Sequence, residues 1–321
     1  MRGCGRTAAD AVKMAIPFDR SFEAPYGELQ RVSPMISRVL ARNPSPFTFK
    51  GTGVYIIGAE GARDVAVIDP GPLLDEHVEA LKRALDGKRL THILVTHTHS
   101  DHSPAAQPLK EWSGAATYGF GPHGSGKLRR ADGGVDDGVK VEEGGDRDFV
   151  PDVAVRDGDR IEGDGFTFDC VYTPGHTSNH MCYALEEEKA LFTGDHVMGW
   201  STTVVTPPDG DMAEYMASLR KLLARDDRIL YPTHGAPIRE PKPFLEAYIA
   251  HRLEREAQIL SNIRDGVATI PEMVARMYAD VDKRLHPAAA RSVLAHLIQL
   301  ESEGRVRVAG NGPDARYSLP S

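Results

Sequence analysis

At 321 residues the chain has length for one large domain and a small one, and 41% apolar with 26% charged residues is ordinary for a folded globular protein. A net charge of −8 argues against a general polyanion binder. No stretch approaches eighteen apolar residues, so no membrane partner is expected.

The first twenty residues carry Arg2, Arg6, Asp10, Lys13, Asp19 and Arg20 around no apolar core, which is not a secretory signal. Met14-Ala15-Ile16-Pro17 would begin the chain equally well, and residues 1–30 are read as an extension. Cys4, Cys170 and Cys182 are too few and too widely spaced for a disulfide framework or a Cys-x-x-Cys site. A reducing, cytoplasmic location is expected.

Residues 53–58 and 65–69 read as a hairpin, and residues 72–85 as a helix, with Leu74, Val78, Leu81 and Leu85 at helical spacing. The β-branched run Ile93-Leu94-Val95-Thr96 then delivers His97-Thr98-His99-Ser100-Asp101-His102. Strand alternation sends His97 and His99 to one side. Four potential metal ligands within six residues, at a strand tip, point to a borderline cation such as zinc. A helix over 104–112 would aim its N-terminus at this loop.

Residues 121–150 hold eight glycines and charges of both signs, the texture of a surface loop and a candidate lid. Three further strand–breaker–ligand segments follow. Residues 166–171 lead to His176, residues 191–193 to Asp195, and residues 229–231 to His234. Amphipathic helices are expected over 211–225 and 243–264. Strands and helices alternate, which predicts a layered α/β architecture.

Beyond Arg264 come helices over 270–280 and 288–303 and a terminal hairpin, 305–308 with 316–319, the order of a winged-helix-like module. Ten Lys and Arg against nine Asp and Glu in 251–321 leave it nearly neutral, so duplex DNA is disfavoured as its partner. Packing against the catalytic domain, or extending its cleft, is expected instead. The domains are read as 31–250, catalytic, and 251–321, winged-helix-like.

The ligand series resembles the metallo-β-lactamase superfamily. His-x-His-x-Asp-His matches His97, His99, Asp101 and His102, and the later ligands match His176, Asp195 and His234. The resemblance implies an αββα sandwich with metals at one sheet edge. It assigns His97, His99 and His176 to one cation, Asp101, His102 and His234 to a second, and Asp195 to both. Arg31-Val32-Ser33-Pro34, Asn43-Pro44-Ser45-Pro46, Lys50-Gly51-Thr52-Gly53, Ser201-Thr202-Thr203-Val204 and Tyr248-Ile249-Ala250-His251-Arg252 look like the beta-lactamase-like protein 2 subfamily. That subfamily implies cleavage of single-stranded RNA, and its relatives include thioesterases of polyketide pathways. Pro104-Ala105 in place of Gly-Gly, Thr233 in place of Gly and Gly53 in place of Asn depart from the pattern without removing a ligand.

The expected function is hydrolysis by a hydroxide bridging two divalent metal ions, zinc foremost, held about 3.5–4 Å apart. Asp101 and Asp195 are the catalytic candidates. Asp69 is expected to orient a ligand histidine, and His180, Thr202 and Thr203 to face the substrate. Single-stranded RNA is the first substrate expectation. Thioesters or other small acyl substrates, with promiscuous β-lactamase activity, are the alternative, and a non-enzymatic metal-binding or assembly module is a third.

Overall fold

The computed structural model describes residues 15–127 and 144–320. Two sheets face each other. The first runs in chain order: β1 (Gln30–Arg31), β2 (Ile36–Leu40), β3 (Gly53–Ile57), β4 (Asp64–Ile68), β5 (Arg89–Leu94), β6 (Ala116–Gly119) and β7 (Val153–Ala154). It is antiparallel up to β4 and parallel from there. The second has the order β12-β11-β10-β9-β8, built from β8 (Arg160–Gly163), β9 (Phe166–Tyr172), β10 (Met181–Leu185), β11 (Ala190–Gly194) and β12 (Ile229–Pro232).

Both faces of the central strands are buried, so they read as continuous apolar runs sorted by the two-residue period. In β3 and β4, Tyr55, Ile57, Ala66 and Ile68 point between the sheets. Val54, Ile56, Val65 and Val67 point outward to Leu81 of α1 (Asp75–Ala84) and Leu109 of α2 (Ala106–Ser113). On the second sheet, Phe166, Phe168, Cys170, Tyr183 and Phe192 meet the first sheet. Val171, Cys182, Ala184 and Leu191 pack outward on α3 (Met212–Leu223) and α4 (Pro241–Arg264). The layers are therefore α–β–β–α, the expected architecture.

The small module holds α5 (Ile270–Met277), α6 (His286–Ser302) and the antiparallel pair β13 (Arg307–Ala309) and β14 (Arg316–Ser318). Thr269 and Glu272 form a capping box that starts α5. Met273, Val293, Leu297, Leu300 and Tyr317 form its core together with Ile259 and Ile263 of α4. The expected boundary at 250/251 falls inside α4, one continuous helix of 24 residues. Its first half packs Phe244, Leu245 and Tyr248 into the catalytic core. Ala295 of α6 joins that same core, so the module packs on the catalytic domain.

Helices α1 and α2 begin later than their expected starts at 72 and 104. Residues 72–74 remain outside α1, Leu74 being extended, and the metal-ligand loop turns through Ala105 before α2 begins. Of the candidate lid, residues 128–143 lie outside the described residues. Its later end is pinned to the ligand loop: Ser100 N donates to Gly144 O at 2.7 Å, and Asp146 N to Thr98 O at 2.7 Å. Among the described residues no helix is long and apolar enough to cross a membrane.

Candidate metal centre

The residues following β5, β9, β11 and β12 converge on one edge of the sandwich, where rigid strands present loop residues at their carboxyl ends. All seven expected ligands meet there. Three overlapping trios have donor atoms within 4.8 Å of one another: His97, His99 and His176; His97, His102 and Asp195; Asp101, His102 and His234. Asp195 thus shares a trio with one histidine from each of the other two sets.

The spacing suits coordination. His97 Nε2 lies 3.0 Å from His99 Nδ1, which lies 3.2 Å from His176 Nε2. A tetrahedral cation about 2.0–2.1 Å from each imidazole nitrogen places its ligand atoms roughly 3.3 Å apart. His234 Nε2 is 3.1 Å from Asp101 Oδ2 and 3.3 Å from Asp195 Oδ1. His102 Nε2 and Asp195 Oδ1 are buried without a hydrogen bond, a costly state that a cation between them would relieve.

Four of the five ligand imidazoles are held from behind. His102 Nδ1 donates to Asp69 Oδ2 at 2.9 Å, His176 Nδ1 to Val204 O at 2.7 Å, and His234 Nδ1 to Gly51 O at 3.1 Å. His97 Nδ1 lies 3.1 Å from Thr96 Oγ1. Carbonyls and carboxylates only accept, so the outer nitrogens of His102, His176 and His234 carry protons, which leaves the inner nitrogens as the ligating atoms.

Asp69 sits where the resemblance implied. It also accepts from Thr96 N at 2.7 Å, Thr96 Oγ1 at 2.8 Å and Thr233 Oγ1 at 3.0 Å. Thr233, a departure from the family pattern, is therefore part of the support. Gly194 has φ +50, and a Cβ there would meet His180 Nε2 at 2.6 Å and Thr96 Oγ1 at 2.7 Å. Glycine fits the backbone against both residues.

The electrostatics match a divalent cation. Burial, then neighbouring imidazoles, keeps the pKa of His97 and His99 well below the usual histidine value, and burial lowers that of His176. For Asp101 and Asp195 burial favours the neutral acid, but His102 and His234 outweigh it and keep both carboxyls ionised. Against burial, the same carboxylates raise the pKa of His102 and His234, to about 10 for His234. These two would release a proton when a cation binds, whereas His97, His99 and His176 are already in the neutral form it needs.

A cavity opens directly on the cluster. His99, Asp101, His176, Asp195 and His234 form its floor. Pro46, Phe47, Met198, Trp200, Ser201, Thr202 and Val204 form its walls. Phe49 stacks on Trp200 at 4.8 Å and 8°, joining the two wall loops. Of the three substrate-side expectations only Thr202 lines this cavity. His180 is fully buried beneath it, 2.9 Å from Thr173 Oγ1 through Nδ1. Thr203 is turned inward and donates to Asp195 O at 2.7 Å.

Sequence reasoning gave no role to Thr52, whose hydroxyl donates to Asp101 Oδ2 at 3.1 Å. It also missed Phe47, Met198 and Trp200. The motifs around Lys50-Gly51-Thr52 and Ser201-Thr202 were the signal available for this wall.

The αββα layers and the His/Asp edge define a class of hydrolase whose cluster suits a dinuclear metal site. The chain belongs to the Metallo-beta-lactamase superfamily, which residues 48–234 match, and residues 269–314 match the Beta-lactamase associated winged helix domain. It is 30% identical over 285 residues to the Beta-lactamase-like protein 2 homolog of Caenorhabditis elegans, covering 87% of this chain and 88% of that one. It is also 30% identical over 307 residues to an Atrochrysone carboxyl ACP thioesterase of Aspergillus chevalieri, covering 92% and 90%. A Beta-lactamase domain protein from Burkholderia ambifaria shares the fold, with a TM-score of 0.78 at 22% identity over 97% of this chain and 99% of that one.

Proposed function

We propose that this chain hydrolyses thioesters and related small acyl substrates with two divalent cations, zinc foremost. His97, His99 and His176 would hold one, Asp101, His102 and His234 the other, and Asp195 both. Such a pair, when bound, supplies an ionised water at neutral pH and polarises a carbonyl. The chain's own part is to hold seven ligand atoms in a buried array and to exclude bulk water along an apolar wall. Asp101, on the cavity floor and with its Oδ2 steadied by the Thr52 hydroxyl, would orient the water or take up its proton. A cytoplasmic setting accords with Cys170 and Cys182, which are buried and unpaired.

The observation that carries the substrate class is the wall itself. Pro46, Phe47, Met198, Trp200 and Val204 line it, and among the described lining residues there is no Lys or Arg. An acyl group suits such a wall. A phosphodiester backbone calls for cations, so single-stranded RNA draws its support from the subfamily resemblance rather than from the cleft. The Aspergillus chevalieri thioesterase adds a relative named for acyl chemistry. A parallel turnover panel of acyl-coenzyme A thioesters, labelled single-stranded RNA and a chromogenic cephalosporin tests this, with His99→Ala as control. Thioester cleavage lost in the control supports the reading. Cleavage of RNA alone overturns it.

A further inference from the structure

Two residues of the cleft wall are tied through their backbone to one buried hydroxyl. Tyr248 Oη accepts from Met198 N at 3.1 Å, and its own proton has Met198 O at 2.9 Å and Ser201 O at 2.6 Å within reach. One helical turn along α4, Arg252 donates from Nη2 to Thr203 O. Its guanidinium carbon lies 5.1 Å from the centre of the Tyr215 ring. The Tyr215 hydroxyl in turn donates to His196 O at 2.8 Å. Segment 195–203, which carries ligand Asp195 and four of the seven wall residues, thus rests on side chains of α3 and α4.

Tyr248 is fully buried and Arg252 is 3% exposed. Among the described residues no carboxylate pairs with Arg252, and its Nε has no hydrogen-bond partner. A buried cation without an ionic partner is costly, and an apolar side chain would pack there with less penalty. What the guanidinium gains in this place is the Thr203 carbonyl and the Tyr215 face. The same helix then continues into the winged-helix core through Ile259 and Ile263.

We propose that Tyr248 and Arg252 are positioning residues for the substrate cleft, and that α4 ties the 195–203 wall to the C-terminal module. The proposal rests on reading this cavity as the substrate site. It gives the module a mechanical part, bracing α4 from its far end.

The test uses the full chain in a Trp112→Phe background. The sequence has two tryptophans, and Trp112 lies exposed on α2, so Trp200 becomes the sole reporter, located in the wall. Tyr248→Phe, Arg252→Met and Arg252→Lys are each read by acrylamide quenching of Trp200, by metal content per chain, and by kcat and KM on benzoyl-coenzyme A. Expected are increased quenching with Phe and Met at unchanged metal content, and kcat/KM lower by about 10- to 100-fold, as a displaced wall would give. For Tyr248→Phe the loss falls mainly on KM. Arg252→Lys recovers part of the effect, since an ammonium still donates to Thr203 O. A lowered melting temperature with Trp200 quenching unchanged would overturn the proposal by assigning both residues to stability alone. Should the parent fail to cleave benzoyl-coenzyme A, the acyl reading falls while the quenching still decides the positioning role. If Arg252→Met does not fold, Tyr248→Phe and Arg252→Lys carry the same readouts.

Discussion

Asp69 Oδ2 accepts the Nδ1 proton of His102 at 2.9 Å, and Thr96 and Thr233 hydroxyls reach the same oxygen. One carboxylate at the end of β4 therefore joins the ligand loop after β5 to the loop after β12. Asp69 itself has φ +50, uncommon for a residue with a side chain. Asp69→Asn keeps the shape but turns one acceptor into a donor facing other donors. Affinity for the cation assigned to Asp101, His102 and His234 should fall about 10- to 100-fold. Titration against a competing chelator measures it, and unchanged affinity would remove Asp69 from the support.

Thr52 offers a subtler test. Its hydroxyl donates to Asp101 Oδ2 in a buried bond and accepts from Asn43 Nδ2 at 2.9 Å in a half-buried one. Thr52→Val leaves both groups short of a partner, at a cost of about 1–3 kcal/mol. Thr52→Ser should restore most of it. Urea midpoints of the three proteins give the comparison, and equal midpoints for Val and Thr would contradict it.

The aromatic wall predicts selectivity. Trp200→Ala removes the ring that stacks on Phe49 and opens the cavity. KM for a benzoyl thioester should rise roughly tenfold, with a much smaller change for an acetyl thioester. Equal effects on both would argue against an acyl-binding role.

Acid sensitivity follows from the junction between α4 and α6. Burial, then the Arg252 charge, pushes His251 down to about 4 and His296 down to about 3. Both lie below their unfolded value of 6.5, so the unfolded chain binds more protons in that window. Their contribution is fully present above pH 6.5 and is lost as pH falls toward the folded values. Denaturant midpoints between about pH 7 and pH 5 should drop for the parent and drop less for a His251→Leu, His296→Leu double variant. Parallel pH slopes would show that neither imidazole is held neutral.

The ligands were legible because each is a local event: an apolar strand, a breaker, then a histidine or aspartate, as in Phe192-Thr193-Gly194-Asp195. Apolar, β-branched runs likewise marked the central strands, and helical spacing marked α3, whose apolar stripe Met212, Tyr215, Met216, Leu219 and Leu222 is buried as spaced. Strands β1 and β7 have two residues each, too few for a period to register. β10 is buried along its whole length like β3 and β4, but its Met-Cys-Tyr-Ala-Leu run has none of their β-branched residues. Support of the site was hidden for another reason. Thr52 meets Asp101 across 49 positions, and Thr233 meets Asp69 across 164, so nothing nearby in the chain signals either bond. His180 looked like a pocket residue because it follows His176 by four, yet β10 turns it beneath the floor, against Gly194.

Elemental analysis of the purified chain tests the metal centre most directly. About two divalent cations per chain are expected, with Asp195→Asn retaining clearly fewer and losing turnover with them. A parent with less than about one cation per chain, or an Asp195→Asn variant that keeps full occupancy and full activity, would contradict it.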